Sequence, residues 1–451
     1  MSEHAESQLR AAAEDFFATL NLDPAEKRRI FSAVVSDVRD RREELADLAV
    51  SEVKLTRVDA RKEIDRALNT FIRARDSADL IQESTFSLGD EKIAREKRLP
   101  RGPLLAITPF SSPFSSPAHK ISMGILAGTS VLFKPSPFAR QSGRALYTII
   151  EKACDGKYVY FSAEDDRRRL DSIVADSRIG IVSFTGSYST GSRIIKNGGV
   201  KRYHMELAGG NSPIIFAPEF DRYDDRLAGD IVDGITAKNG QRCVSVKHLF
   251  IPAGRRQFID KLQSRLERLK NHTRERPDNG GDLKLGPLIT EKYAKQTAKK
   301  VGSILELTDQ ADTLIALERR RDYIFPTLYA IKKIDEPFIR NIFDFDIPGP
   351  VAFIHLYNSQ AEYEKILSAL KRDYTRSGLQ LSFYVADKIS ADNIIKNLLW
   401  GGIIFNDLPT YRDESMSFGG FGKSGLGKEG FPETLNSITD PQVVVYPKDF
   451  V

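Results

Sequence analysis

Between residues 104 and 251, short apolar runs alternate with helical patterns at a spacing that few architectures accommodate. Leu104 to Thr108, Ser130 to Phe133, Ile179 to Phe184, Pro213 to Phe216 and Lys247 to Ile251 are runs of strand length, rich in aliphatic and aromatic residues. Ala118 to Ala127, Gln141 to Ala153 and Arg226 to Thr236 carry helical spacing. Gly128 stands where a helix-ending glycine belongs. Strand and helix in regular alternation imply a parallel sheet with crossover helices, an α/β fold.

The flanks are less regular. Residues 5 to about 88 read as helices, with Arg29 to Ala49 and Arg61 to Ala78 carrying apolar residues three and four apart. Lys97 to Pro103 reads as a turn, Pro109 to Pro117 as a loop, and Met205 to Asn211 as strand or turn. Residues 252 to 300 are helical and charged, Tyr363 to Leu370 is helical, and Ser382 to Val385 is a strand. Gln442 to Tyr446 is a short strand placed to extend a sheet edge. A chain of 451 residues exceeds one compact core, so two or three domains are expected. The net charge of +5 is small and its charges are interspersed, which argues against a nucleic-acid or membrane partner. The polar N-terminus and the two cysteines lead us to expect a cytoplasmic protein without a disulfide framework.

The chemistry gathers around Cys243, inside Asn239-Gly240-Gln241-Arg242-Cys243, and Glu206 upstream of it. A thiolate attacks a carbonyl carbon, and a carboxylate activates water to release the product. Gly240 permits close backbone approach, and the positive charge of Arg242 favours the thiolate. Cys154 has no such surroundings and reads as structural. Further upstream are the turn Pro109-Phe110-Ser111-Ser112-Pro113, the pair Lys134-Pro135, and Phe184-Thr185-Gly186-Ser187 after an apolar strand. A strand-to-helix turn of that kind offers N–H groups and a helix dipole to a pyrophosphate.

These motifs, in this order over roughly residues 60 to 446, resemble the aldehyde dehydrogenase superfamily. Locally they are most similar to the lactaldehyde, phosphonoacetaldehyde and non-phosphorylating glyceraldehyde-phosphate branches. The resemblance implies a Rossmann-type cofactor domain over 1–90 and 103–207, with part of 413–434. It implies an α/β catalytic domain over 208–412, and a small oligomerisation flap of strands over 91–102 and 435–451. It makes Cys243 the nucleophile, Glu206 the general base, and Ser111 with the Cys243 N–H the holders of the oxyanion. NADP or NAD is the implied cofactor, with Lys134 at the adenosine ribose. Thr108, Pro109, Phe110, Phe184, Thr185, Gly186, Ser187, Leu207 and Asp346 are the other implied cofactor residues. Arg242, Arg412 and Phe418 border the implied substrate tunnel, where the arginines suit an anionic tail. The implied partners are a small aldehyde and further copies of the chain, as a homodimer or homotetramer, with no metal.

Four departures from the family pattern matter. Ser111 replaces an asparagine whose amide donates to the oxyanion, a loss worth about 10² to 10³ in turnover. Pro137 replaces a ribose-binding glutamate, which leans the chain toward NADP. Asp346 replaces a glutamate. Cys154 to Lys157 and the charged run Glu164 to Arg169 replace the usual Pro/Gly turn at the adenine end. Two alternatives stay open: a catalytically weak binding protein of this fold, and a dehydrogenase that passes its acyl group to CoA or phosphate. The segment Gly419 to Gly430 is assigned loop geometry and no chemistry.

Overall fold

Helix starts are favoured by side chains that satisfy the first free N–H groups, and three of the N-terminal helices follow that rule. A computed structural model describes residues 1–80, 83–209, 212–275, 284–343, 345–371, 376–396 and 398–450. α1 (Glu3–Glu14), α2 (Pro24–Asp40), α3 (Arg42–Val53) and α4 (Arg57–Asp76) open the chain. Asp23 caps α2 through the Glu26 N–H, with Pro24 in the first turn, and Thr56 caps α4 through the Asp59 N–H. Phe31, Ile64 and Phe71 from these helices join a core shared with Ile121 and Phe133.

The helical expectation fails after Asp76. Glu83–Leu88 is a strand, β1, and so is Lys92–Pro100, β2, which overruns the expected turn at Lys97. β1 is exposed along its whole length and β2 carries charge at most positions, so neither has a pattern of its own. Their conformation comes from pairing, since β2 is held between β1 and the C-terminal strand.

The alternating region builds a parallel sheet. Its strands are β3 (Leu104–Ile107), β4 (Val131–Lys134), β5 (Val159–Phe161), β6 (Ile181–Ser187) and β7 (Arg202–Ala208). α5 (Ser115–Ala127), α6 (Arg140–Ala153), α7 (Arg167–Ala175) and α8 (Tyr188–Gly198) connect them. Gly128 ends α5 at φ 78°, as its position suggested. The charged run Glu164 to Arg169 starts α7, because Asp166 accepts from the Arg168 and Arg169 N–H groups.

A second sheet contains β8 (Ser212–Phe216), then, after α9 (Asp225–Thr236), β9 (Val246–Pro252), β10 (Ala311–Ile315), β11 (Thr327–Ile331), β12 (Val351–Tyr357), β13 (Gln380–Tyr384) and β14 (Gly402–Phe405). Two later strands, β15 (Gly425–Leu426) and β16 (Thr439–Pro447), return to the other sheets. Among the described residues the orders are β15-β7-β6-β3-β4-β5, β10-β11-β12-β9-β8-β13-β14 and β1-β2-β16. Within the two large sheets, only the β15–β7 and β10–β11 pairs are antiparallel. Helices Arg256–Glu275 and Glu291–Leu305 fill the charged stretch. Residues 276–283 of that stretch, and Gly210 and Asn211 of the expected strand or turn, lie outside the described residues. No helix among the described residues is long and apolar enough to cross a membrane.

Candidate active site

The turn that carries Cys243 is built from three successive residues at positive φ: Lys238 at 52°, Asn239 at 59° and Gly240 at 69°. Asn239 is fully buried and holds its strain through its amide, which donates to the Lys54 and Pro287 carbonyls and accepts from the Gly286 N–H at 2.7 Å. Gly240 meets the loop after Asp346. The Gly349 N–H donates to the Gly240 carbonyl at 2.9 Å, and a Cβ on Gly240 would lie 2.2 Å from the Gly349 backbone. Lys247, buried in β9, donates to the Gly240 and Gly349 carbonyls and clamps the two loops together. Gly240→Ala is therefore expected to cost about 3 kcal/mol, from a left-handed residue and a backbone clash. Denaturant midpoints would measure it, and a shift worth under about 0.5 kcal/mol would contradict this account.

Cys243 faces a cavity of about 390 Å³, open to water at its mouth and enclosed by protein elsewhere. Although Cys243 is exposed at the cavity mouth, the protein packed around it withholds solvent and pushes its thiol up, and Glu206 adds to the effect, while Arg242 and Arg412 oppose both. The expectation that Arg242 favours the thiolate holds in direction but is outweighed. Cys154 is buried at the end of α6, and burial raises it to about 12, in keeping with a structural role.

Glu206 reaches the same cavity from the end of β7. Burial, then the neighbouring Glu429, raises its carboxyl well above the usual range. Its Oε1 is buried without a hydrogen-bond partner, 3.5 Å from the equally unpartnered Nε2 of buried His204. Glu429 behaves oppositely. Burial alone would raise it, but the Arg412 guanidinium at 2.5 Å holds it ionised. β15 brings this about, because its antiparallel pairing sets Gly425 against Glu206 and carries Glu429 into the cavity. Sequence reasoning missed Glu429, whose signal was an acidic residue inside a glycine-rich segment with no other need for charge.

Arg412, expected at the substrate, stacks over Phe418 at 4.2 Å and is committed to Glu429. Arg242 lies beside Cys243, and its guanidinium reaches the Thr410 carbonyl at 3.5 Å. Ser111 lines the cavity, and its carbonyl accepts from Lys238 Nζ at 3.0 Å. That ammonium also donates to Ser112 Oγ and pairs with buried Glu63 of α4 at 2.5 Å. Glu63 in turn accepts from the Phe114 and Ser115 N–H groups. The Lys238–Glu63 pair, which sequence reasoning also missed, pins the Ser111 turn to the Cys243 turn.

The expected cofactor residues divide. Pro109, Phe110, Thr185, Gly186, Ser187, Leu207 and Asp346 line the cavity. Thr108 and Phe184 do not: Thr108 is buried with its N–H on the Lys134 carbonyl, and the Phe184 side chain packs in the core with Ile107 and Leu207. Lys134 is also outside the cavity, buried at the carboxyl end of β4. Its amine donates to the Pro135 carbonyl at 2.9 Å, and burial lowers it to about 8. Two observations show that this edge of the sheet fits a dinucleotide. Thr185 Oγ1 is buried on the cavity wall without a partner, and Ser187 caps the start of α8, so a helix dipole faces the strand ends.

Comparison with known proteins gives the same picture. The profile described as the aldehyde dehydrogenase family matches residues 1–444. A lactaldehyde dehydrogenase of Methanococcus aeolicus is 29% identical over 96% of this chain and 90% of its own length. A sulfoacetaldehyde dehydrogenase of Neptuniibacter caesariensis is 26% identical over 98% and 94%. The crystal structure of an NADP-dependent glyceraldehyde-3-phosphate dehydrogenase from Bacillus halodurans, complexed with NADP, superposes with a TM-score of 0.85 at 26% identity, covering 99% of this chain and 91% of that one. With an α/β fold, a thiol and a carboxyl on one cavity, and a family match along nearly the whole sequence, the chain belongs to the aldehyde dehydrogenase family.

Proposed function

We propose that the protein oxidises a small aldehyde bearing an anionic group to the carboxylic acid, with NADP or NAD as the electron acceptor. The observation that carries this reading is the meeting of Cys243, the buried Glu206 carboxyl and the Arg242 guanidinium in one cavity. The Cys243 thiol gives up its proton to water at the cavity mouth, its sulfur bonds to the carbonyl carbon, and the Ser111 hydroxyl and Cys243 N–H receive the oxygen as it gains charge. A dinucleotide held at the Thr185 to Ser187 turn would supply the acceptor for the hydride that leaves this carbon, so that an acyl group remains on the Cys243 sulfur. Glu206 takes a proton from water, the water oxygen bonds to the acyl carbon, and the carbon–sulfur bond breaks to release the acid and restore the thiol. Lys238 and Glu63 keep the Ser111 turn in place throughout.

Arg242 supports the anionic substrate better than Arg412, whose charge is already spent on Glu429. Arg242→Ala is expected to lower kcat/KM for phosphorylated, sulfonated or carboxylated aldehydes about 10- to 100-fold, and for neutral ones about threefold or less. A panel of short aldehydes checks this, and equal losses across it would sink the anion assignment. A reducing compartment such as the cytoplasm suits a working thiol.

The same family reading makes the β1-β2-β16 sheet a flap between subunits. It is supported by Phe86, Leu88, Val443, Val444 and Val445, which are apolar and exposed on strands that need a covering surface. Val444→Lys is expected to shift the mass measured by light scattering from dimer or tetramer to monomer. An unchanged mass would move the interface elsewhere.

A further inference from the structure

Lys134, Arg140, Glu164, Asp165 and Asp166 collect at the carboxyl end of β4, and the mechanism above uses none of them. The segment after β5 runs Ser162-Ala163-Glu164-Asp165-Asp166, and the Ser162 N–H bonds to the Phe133 carbonyl at 2.8 Å. This keeps the segment beside the carboxyl end of β4, where Lys134 lies. Asp165 Oδ1 is 3.6 Å from Lys134 Nζ, and its Oδ2 pairs with the Arg140 guanidinium. Glu164 is 8% exposed. Its Oε1 accepts from the Asp166 N–H, while its Oε2 is buried with no hydrogen-bond partner. Asp166 itself is consumed as the cap of α7. What remains is one carboxylate fixed between two cations, and beside it a second carboxyl with an unfilled acceptor.

Dinucleotides lie along the carboxyl ends of parallel strands, with the pyrophosphate at a helix N-terminus. Here the turn from β6 into α8 provides that terminus. β4 is two strands away from β6 in the sheet, so its end lies about 10 Å along the edge at ordinary strand spacing. That is the reach from a pyrophosphate to the adenosine ribose, which brings the ribose to Lys134 and Asp165. Acidic side chains at such a position accept hydrogen bonds from the ribose hydroxyls.

We infer that Asp165 is the residue that selects the cofactor, and that it selects NAD over NADP. The inference deepens the cofactor reading above and rests on it. The 2′-phosphate of NADP brings about −1.5 to −2 charges to the ribose. Lys134 and Arg140 have the chemistry to hold it, but Asp165 already occupies both. A phosphate entering there meets the Asp165 carboxylate, which already engages both of these cations. A ribose hydroxyl finds an ionised acceptor held in place. The absence of a carboxylate at Pro137, which leaned the sequence toward NADP, is thus made good from the loop after β5. The same geometry predicts what removal does, since one substitution takes away a repelling charge and releases two cations.

The test is calorimetric titration of the full-length protein with NAD and NADP separately, without aldehyde, so that turnover plays no part. The wild type is expected to bind NAD at least about tenfold more tightly than NADP. Asp165→Ser should tighten NADP about tenfold and loosen NAD, inverting the preference. Asp165→Asn keeps the shape and removes the charge, so it should lose most of the discrimination and serves if the serine variant does not fold. The inference is overturned if the wild type binds NADP as tightly as NAD, or if both substitutions leave the ratio within about twofold. Failure of folded wild-type protein to bind either dinucleotide would overturn the cofactor reading along with it.

Discussion

Cys243→Ala is expected to remove aldehyde-dependent cofactor reduction, a loss on the order of 10⁵-fold. The sulfur is the only group on the cavity proposed to bond with the substrate carbon, and no neighbouring side chain replaces it. Cys243 stands in a turn held by its neighbours: the Asn239 amide, the Gly240–Gly349 contact and the Ser245 hydroxyl that accepts from the Arg242 N–H. Losing the thiol should therefore leave the melting temperature and dinucleotide binding close to wild type. Absorbance of the reduced nicotinamide measures turnover, and calorimetry measures binding. Turnover within about tenfold of wild type would show that the chemistry does not pass through this sulfur, whereas folded wild-type protein that turns over no aldehyde would favour the weak-binder alternative.

Glu206→Gln should separate the two halves of the reaction. Acylation does not use the carboxylate, so one equivalent of reduced cofactor should form in a burst. Release of the acid then stalls, with steady-state turnover down about 10³-fold. The pH dependence follows from the direction of the shift. Glu206 must be ionised to accept a proton, and burial and Glu429 raise its pKa. Steady-state turnover is therefore low where the carboxyl is protonated and rises with pH as it ionises, on a limb shifted above the normal glutamate range. The Cys243 thiol is raised too, so the acylation limb also lies toward alkaline pH. In Glu206→Gln the first limb should vanish and the second remain. An undiminished steady state would remove Glu206 from the mechanism, and recovery of turnover on adding CoA would establish the acyl-transfer alternative.

Much of this was legible in the sequence for a physical reason. Buried parallel strands need continuous apolar runs, so β3, β4, β6, β8 and β9 announced themselves. Gly240 and Gly128 were legible because positive φ favours glycine. The resemblance singled out Cys243 and Glu206, the proposed nucleophile and base, and the structure places both on one cavity. What was not legible depends on partners far away in the chain. β1 and β2 carry no strand pattern and are defined by β16. The Arg412–Glu429 and Lys238–Glu63 pairs are buried charges, which a sequence cannot distinguish from surface charges until the fold brings their partners together. Asp165 belonged to a run that read as a disrupted turn, and its meaning comes from the end of β4 beside it.

The antiparallel contact between β15 and β7 ties reactivity to the docking of a segment made long after Cys243 and Glu206. Cys243 and Glu206 both precede Arg412 and Glu429 by well over a hundred residues, and these two later residues act on the Glu206 carboxyl from opposite directions. A truncated or partly folded molecule would possess a thiol and an ordinary acid with no tuned pair between them. Competence to turn over substrate then becomes a sign that the last segment has docked, and the emergence of that activity during refolding would time the docking.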